Sequence, residues 1–307
     1  MKKLLLLVVF LQISFFTFSN ISRSIAPFLS DNYISGTTLK INGNKISAKK
    51  LGIINLPEMI KITGGDFTMG NELYINEKPS HKVTLSNYSI SKFEITNIQY
   101  CDFLNSYKNE TTTKELSDYP NETMCYEAEE SGIQFLNGTW SVKEGYDNFP
   151  IIYVSWFGAY EYCKWLSNET GKKYSLPTEA QWEYAAGGGV LHQTYAGTIS
   201  KSTVGNFAWI STNSESKIHE VGTKSANVFG IYDMNGNVWE WCLDWLNTSF
   251  YTSAAVTNPV NLTPDESRAN RGGSWYYDSS FCRNSYRNGF SPSAADFDLG
   301  FRIVSVP

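Results

Sequence analysis

The sequence predicts an α+β fold of short strands, two main helices and much irregular structure. Three observations carry this. Glycine is frequent, at 23 residues, and its conformational freedom favours turns and irregular backbone over long helices. Apolar and polar residues alternate only over short runs bounded by turn-forming pairs, the pattern of brief strands. Helical periodicity is strongest over 156–167 and 178–186, and each stretch has its own start and stop signals. The 9 Trp, 19 Tyr and 18 Phe fill a core and leave aromatic side chains over for a binding surface. Net charge is −5 and no basic tract exceeds a Lys-Lys pair, so the balance points away from nucleic acid.

Taken in order, residues 1–19 read as a signal peptide. Lys2 and Lys3 precede an apolar core, Leu4 to Phe16, and Thr17-Phe18-Ser19 supplies small residues for cleavage near Ser19–Asn20. Gln12 and Ser14 interrupt this core, which is shorter than the ~18 apolar residues of a membrane span. The expectation is an exported protein (periplasmic, cell-surface or secreted) with no span after signal cleavage. Its five cysteines, Cys101, Cys125, Cys163, Cys242 and Cys282, would meet an oxidising compartment, and an odd count leaves at least one thiol free or paired between chains.

Residues 20–57 read as an N-terminal extension or linker, with a short hairpin around Asn42-Gly43. The main domain is expected over 58–307. Met59 to Met69 reads as two strand pieces around Gly64-Gly65, and His81 to Ile90 as one further strand. Thr96 to Leu104 changes to a helical period, with Thr96 or Asn97 as N-cap and Cys101 as a small buried apolar residue. Residues 106–148 are polar and acidic. They read as a long surface excursion with one hairpin at Asn137-Gly138, and Cys125 lies within it without an assignable partner.

After Pro150 the chain starts extended and turns helical behind the cap Ser155, with a stripe of Ala159, Tyr162, Cys163 and Leu166 ending at Gly171. Thr178 and Gln181 form the capping box of the next helix, which stops at Gly187-Gly188-Gly189. Short strands and turns follow, with no fixed-period repeat.

Several of these segments together resemble one family. Residues 62–70 (ITGGDFTMG) and 77–104 resemble its opening blocks, and 150–186 its helical centre. Residues 229–241 (FGIYDMNGNVWEW) and 272–302 resemble its closing blocks. In order and spacing this is similar to the formylglycine-generating-enzyme (sulfatase-modifying factor) family across about 58–305. The resemblance implies a C-type-lectin-like fold. It also implies the family's chemistry, oxidation of a sulfatase cysteine by O2 at a Cu(I) held by two cysteine thiolates.

The family's copper pair reads Gly-Gly-Ser-x-x-Cys-x4-Cys. Here Gly272-Gly273-Ser274 leads to Tyr277 at the first cysteine position and Cys282 at the second. A phenol is a poor substitute for a soft thiolate, so copper in a two-cysteine site is not expected. Cys282, Ser274 and Trp239 are the residues that catalysis would use. A disulfide between Cys242 and Cys282 is the other reading of the remaining thiol. By resemblance, structural calcium would be held by Asp233, Glu240 and the carbonyls of Gly236 and Val238, a hard-oxygen set. A second calcium site would involve Asn206, a carbonyl near Phe207, and Asn213.

His81, His192 and His219 lie far apart in sequence, and no nucleophile elbow, P-loop or dinucleotide fingerprint is present. Glu179 and Glu183, four apart on one helix, are placed to pair for acid–base work or to brace it. Two functions stay open: an oxidase acting on a protein or peptide side chain, and a non-catalytic binding or scaffold protein of the cell envelope. For either, a protein or peptide is the expected partner.

Overall fold

A computed structural model describes residues 54–106 and 123–306, together with the backbone of 39–41 and 44–46. The expected signal peptide, most of the expected extension and residues 107–122 lie outside the described residues. The chain divides after Leu56. In the first unit β1 (Leu39–Ile41) pairs antiparallel with β2 (Asn44–Ile46), with Ile41 opposite Asn44, so the hairpin expected around Asn42-Gly43 is present.

The second unit begins at Pro57. Its first strands, β3 (Met59–Ile62) and β4 (Asp66–Met69), flank Gly64-Gly65 as expected. A Cβ on Gly64 would sit 2.1 Å from the Leu85 carbonyl oxygen, so the backbones approach too closely there for any side chain. The run His81 to Ile90 is two strands rather than the single one expected. β5 (His81–Thr84) pairs with β4, and β6 (Tyr88–Ser91) pairs with β3. The break falls where Asn87 Oδ1 accepts from Gly64 N and Asn258 Oδ1 accepts from Ser86 N, which takes the backbone out of the ladder.

Helix α1 (Asn97–Ser106) buries Tyr100, Cys101, Phe103 and Leu104. Thr96, one of the two expected N-caps, stands at the cap, its carbonyl accepting from Tyr100 N at 3.0 Å. The Gln99 side chain accepts from Thr96 N at 3.0 Å, and the Asn97 amide donates to the Tyr146 carbonyl at 2.9 Å. Strands β7 (Ile133–Leu136) and β8 (Thr139–Val142) form the expected hairpin, with Asn137 and Gly138 at φ 53° and 73°. Of the expected surface excursion, residues 107–122 lie outside the described residues, and Glu127, Glu129 and Glu130 are exposed. Met124 and Cys125 are buried, because the chain from 124 to 126 runs against Tyr153–Ser155 through backbone hydrogen bonds.

Helix α2 (Trp156–Thr170) starts at Ser155, whose hydroxyl accepts from Gly158 N, and ends at Gly171 in the left-handed region at φ 71°. Strand β9 (Lys173–Ser175) leads to α3 (Glu179–Ala186), which opens with the full Thr178/Gln181 capping box. The remaining strands are β10 (Trp239–Trp245), β11 (Val256–Thr257), β12 (Arg268–Arg271), β13 (Asn288–Phe290), β14 (Leu299–Gly300) and β15 (Val304–Val306).

They complete three small sheets, in the orders β3-β6-β15-β9, β11-β5-β4 and β13-β12-β10-β14. Strand β10 matters most, being antiparallel to β12 and parallel to β14. Successive side chains on a strand point to opposite faces, so Trp239 and Trp241 share one face of β10 while Glu240 and Cys242 share the other. All four are buried. Cys242 belongs to the main core with Trp182, Ala185 and Ala269.

Candidate functional site

β12 delivers the chain into a tight turn, with Gly272 at φ 101° and Gly273 at φ 74°. A Cβ on Gly273 would lie 2.5 Å from Cys282 Sγ, so the turn closes directly over that thiol. Cys282 is fully buried with Tyr195, Val204, Ala208 and Ile210, and its sulfur has only the Asp278 carbonyl, at 3.7 Å, as acceptor. Burial pushes the thiol up to about 12, so it carries a proton at neutral pH.

All five cysteines are free and buried. The Cys242–Cys282 bridge read as one alternative is therefore not formed. The alternation of β10 turns Cys242 into the core beneath α3, while Cys282 packs under Gly273 in a separate apolar cluster.

Above this turn Tyr277 is half-buried, edge-on to Trp239 at 5.7 Å and against Phe281 at 4.9 Å. Burial raises its phenol, and Asp298 and Asp296 add to the rise. The Ser274 hydroxyl donates to Asp298 Oδ2 at 2.5 Å, and Trp239 N donates to the Asp298 carbonyl at 2.8 Å. Asp298 is raised to about 6, chiefly by burial. Trp239, Ser274 and Tyr277 thus gather around Asp298, which the sequence reading did not single out although it opens the closing Asp-Leu-Gly-Phe-Arg stretch. Cys282 lies beneath the same turn, with its sulfur sealed off.

These residues do not fit a copper centre. One position offers a phenol and the other a protonated, enclosed thiol, where Cu(I) needs accessible thiolates.

Within the expected calcium set, Glu240 has no free oxygen. Both Glu240 oxygens are committed: Arg302 Nε and Trp182 Nε1 donate to Oε2, each at 2.6 Å, and Arg302 Nη2 donates to Oε1 at 2.7 Å. Asp233, held at φ 56°, accepts from Gly222 N through Oδ2, and its Oδ1 has no partner. Burial raises this carboxyl to about 6. Glu94 accepts from the Asn237 amide at 2.9 Å and from Val238 N at 3.3 Å. Glu94 is pushed well up by burial and by the Asp233 and Glu240 carboxylates, against the pull of Arg302. The tract braces backbone and an arginine, as hydrogen-bonded buried carboxylates do.

Asn213, expected in a second calcium site, braces its own loop. It accepts from Ile210 N and donates to the carbonyls of Gly205 and Ala208. Among the described residues, no group of three or more His, Cys, Asp or Glu side chains converges as a metal site would require.

Glu179 and Glu183 both address Arg271, through Glu179 Oε1 to Nε at 3.1 Å and Glu183 Oε2 to Nη2, and Glu183 Oε1 also accepts from Gly70 N at 2.7 Å. This ties α3 to β12 and to Gly70 at the end of β4, the bracing arrangement. His81 Nδ1 contacts the Pro79 carbonyl at 3.1 Å, and His219 stacks on Trp209 at 3.6 Å. Both are structural contacts.

The family described as Sulfatase-modifying factor enzyme 1-like domain (FGE-sulfatase) matches residues 46–306. The serine/threonine-protein kinase Pkn1 of Chlamydia trachomatis is 34% identical over 256 residues, covering 81% of this chain but 38% of that protein. The chain thus spans about two fifths of the length of these first curated relatives. The formylglycine-generating enzyme of Streptomyces coelicolor is 28% identical, covering 80% of this chain and 88% of that protein. Among solved structures, Treponema denticola variable protein 1 superposes with a TM-score of 0.65 at 26% identity, covering 81% of this chain and 95% of the other. PvdO from Pseudomonas aeruginosa does so with 0.64 at 26%, covering 82% and 95%.

Proposed function

The chain belongs to the sulfatase-modifying factor enzyme 1-like domain family, and from that premise we propose that it is a non-catalytic binding module on the family's C-type-lectin-like fold, working in the cell envelope. The observation that carries this reading is the state of the former copper pair. Tyr277 offers a phenol, and the Cys282 thiol is buried, capped by Gly273 and raised to about 12. Oxidation of a peptide thiol in this family's manner needs two thiolates that substrate and O2 can both reach. Burial denies this at Cys282, and chemistry denies it at Tyr277.

The fold offers a rigid platform in exchange. The Glu240–Arg302 and Arg271–Glu183 pairs are buried and hydrogen-bonded, Glu179 is ion-paired to the same Arg271, and together they fix β10, β12 and α3 beside the turn that carries Tyr277. A binding surface on loops positioned by such a scaffold is a common arrangement. Action in the envelope rests on the amino-terminal segment, which has the charged, apolar and small-residue regions of an export signal.

Oxygen uptake tests the reading. The purified full chain, supplied with Cu(I) and cysteine-containing peptides, is expected to consume no O2 above the metal-only rate. Copper-dependent, peptide-dependent uptake lost in Cys282→Ser would overturn it.

A further inference from the structure

We propose that two neighbouring turns, at Val190-Leu191 and at Val228, dock the chain on a lipid bilayer with anionic headgroups. This goes beyond the binding-module reading and stands whether or not the chain consumes O2.

Both turns raise aliphatic side chains into solvent. The first is the short 3-10 turn Gly189–Leu191, which stands between left-handed Gly188 at φ 74° and His192 at φ 47°. The second is closed by Asn227, whose Oδ1 accepts from Phe229 N at 3.0 Å and from Ile231 N at 3.2 Å. The Asn227 amide donates to the Ala185 carbonyl at 2.8 Å, which ties this turn to the end of α3. Val190 is 72%, Leu191 58% and Val228 55% exposed. The turns lie side by side, since a Cβ on Gly188 would meet Val228 Cγ2 at 2.8 Å and Leu191 Cδ1 at 3.5 Å. Residues 184–200 and 225–232 contain no Asp, Glu, Lys or Arg. Exposed aliphatic surface without charge of its own marks a place of contact.

Behind the turns, the second segment runs along a border of rings and lysines. A Cβ on Gly222 would meet the Phe93 ring at 2.5 Å, and Tyr232 N donates to the Lys92 carbonyl at 3.0 Å. Lys92 Nζ lies 5.3 Å from the Phe93 ring and 5.8 Å from the Tyr232 ring, and Lys224 Nζ lies 3.7 Å over Trp209. All three rings are half-buried. Glu58 pairs with Lys92 at 3.1 Å, whereas Lys224 forms no ion pair among the described residues.

This order follows a bilayer from the inside outward. Aliphatic side chains suit the hydrocarbon, aromatic rings the interface, and lysines the phosphate headgroups. Side chains raised on turns enter a lipid layer that yields around them, where a folded partner would have to supply a matching recess. In a two-fold dimer of this face the unpaired Lys224 would meet a border of its own sign, which a lipid phosphate does not present. With the chain at net charge −5, an anionic surface favours the orientation that turns these lysines towards it.

The five native cysteines are buried, so an exposed cysteine takes an environment-sensitive dye selectively. Val190→Cys, Val228→Cys and, as a control on the exposed β7–β8 hairpin, Leu136→Cys are each labelled in the full chain. The vesicles hold equal parts of phosphatidylglycerol and phosphatidylcholine. Dye emission at 190 and 228 is expected to rise, shift to the blue and be quenched by nitroxide-labelled lipid, while the dye at 136 stays unchanged. Reading at the site separates this from any insertion of the amino-terminal segment. Leu191→Ser should weaken vesicle affinity by about tenfold. Lys224→Gln should weaken it by about fivefold on these vesicles and leave binding to phosphatidylcholine alone unchanged. Equal responses at all three positions, no quenching by labelled lipid, or equal affinity for neutral vesicles would each overturn the proposal. So would a response that grows with chain concentration in the absence of vesicles, which would make a second copy the occupant.

Discussion

Tyr277 stands edge-on to Trp239, with ring centres 5.7 Å apart and planes inclined at 70°. The ring occupies the place where a first copper thiolate would be, and it packs there as an aromatic partner. Restoring the missing sulfur should not restore the metal. In Tyr277→Cys, the new thiol would face a Cys282 that stays enclosed and raised to about 12. Competition against a Cu(I) chelator is expected to show no stoichiometric high-affinity copper. Tight binding that consumes both thiols would refute this account of the site.

The thiols give a second outcome. All five are free and buried, so alkylation of the native chain should be slow at every cysteine, and alkylation after unfolding without reductant should label all five. Mass spectrometry of the digest reads this directly. A disulfide-linked peptide carrying Cys242 and Cys282 would contradict the separate clusters.

A third concerns Glu240 and Arg302. Removing one partner of a buried, hydrogen-bonded pair leaves an uncompensated charge, so Arg302→Met should cost about 3–5 kcal/mol in urea unfolding. Because Glu240 has no oxygen to spare, calcium and a calcium chelator should give the same melting temperature. A rise of several degrees on adding calcium would mean that the tract rearranges to take the ion.

A fourth turns on backbone geometry. Gly273 has φ 74°, and a Cβ there meets Cys282 Sγ at 2.5 Å. Gly273→Ala should destabilise the chain by about 2 kcal/mol or more, from strain and overlap together. Adding Cys282→Ala removes the overlap and leaves the strain, so the double variant should recover part of the loss. No recovery would show that the sulfur is not what the turn closes upon.

The fifth is a pH profile. Asp233 and Asp298 are raised to about 6, and Asp244 to about 7, chiefly by burial. The folded chain holds these protons more tightly than the unfolded one. The stability they contribute is full below the ordinary carboxylate range and is lost as pH rises through about 6 to 7. The melting temperature should therefore rise on acidification from neutral pH towards 5, and Asp298→Asn should flatten part of that rise. A monotonic fall over the same interval would sink it.

Local rules made much of the fold legible in the sequence. Ser155, Thr178 with Gln181, and Gly171 mark helix ends by chemistry confined to a few neighbouring residues, and they stand where that chemistry puts them. Asn137-Gly138 does the same for its hairpin. Long-range pairing was not legible. The break between β5 and β6 depends on Asn258, far along the chain, and the burial of Cys125 depends on Tyr153–Ser155 running beside it.

The candidate site divides in the same way. Tyr277 in place of a cysteine could be read from spacing, but the commitment of Glu240 to Arg302 and the gathering of Ser274 and Trp239 around Asp298 arise only when distant strands meet.

The turn at Gly272-Gly273 has a consequence for engineering. Beneath it, backbone hydrogen bonds, small residues and paired charges determine the shape, while the Tyr276, Asp278 and Ser280 side chains beyond it are partly or wholly in solvent. The outward side chains are then separable from those that determine the fold. A library randomised at the outward positions alone should yield variants that fold alike, with melting temperatures close to that of the parent chain.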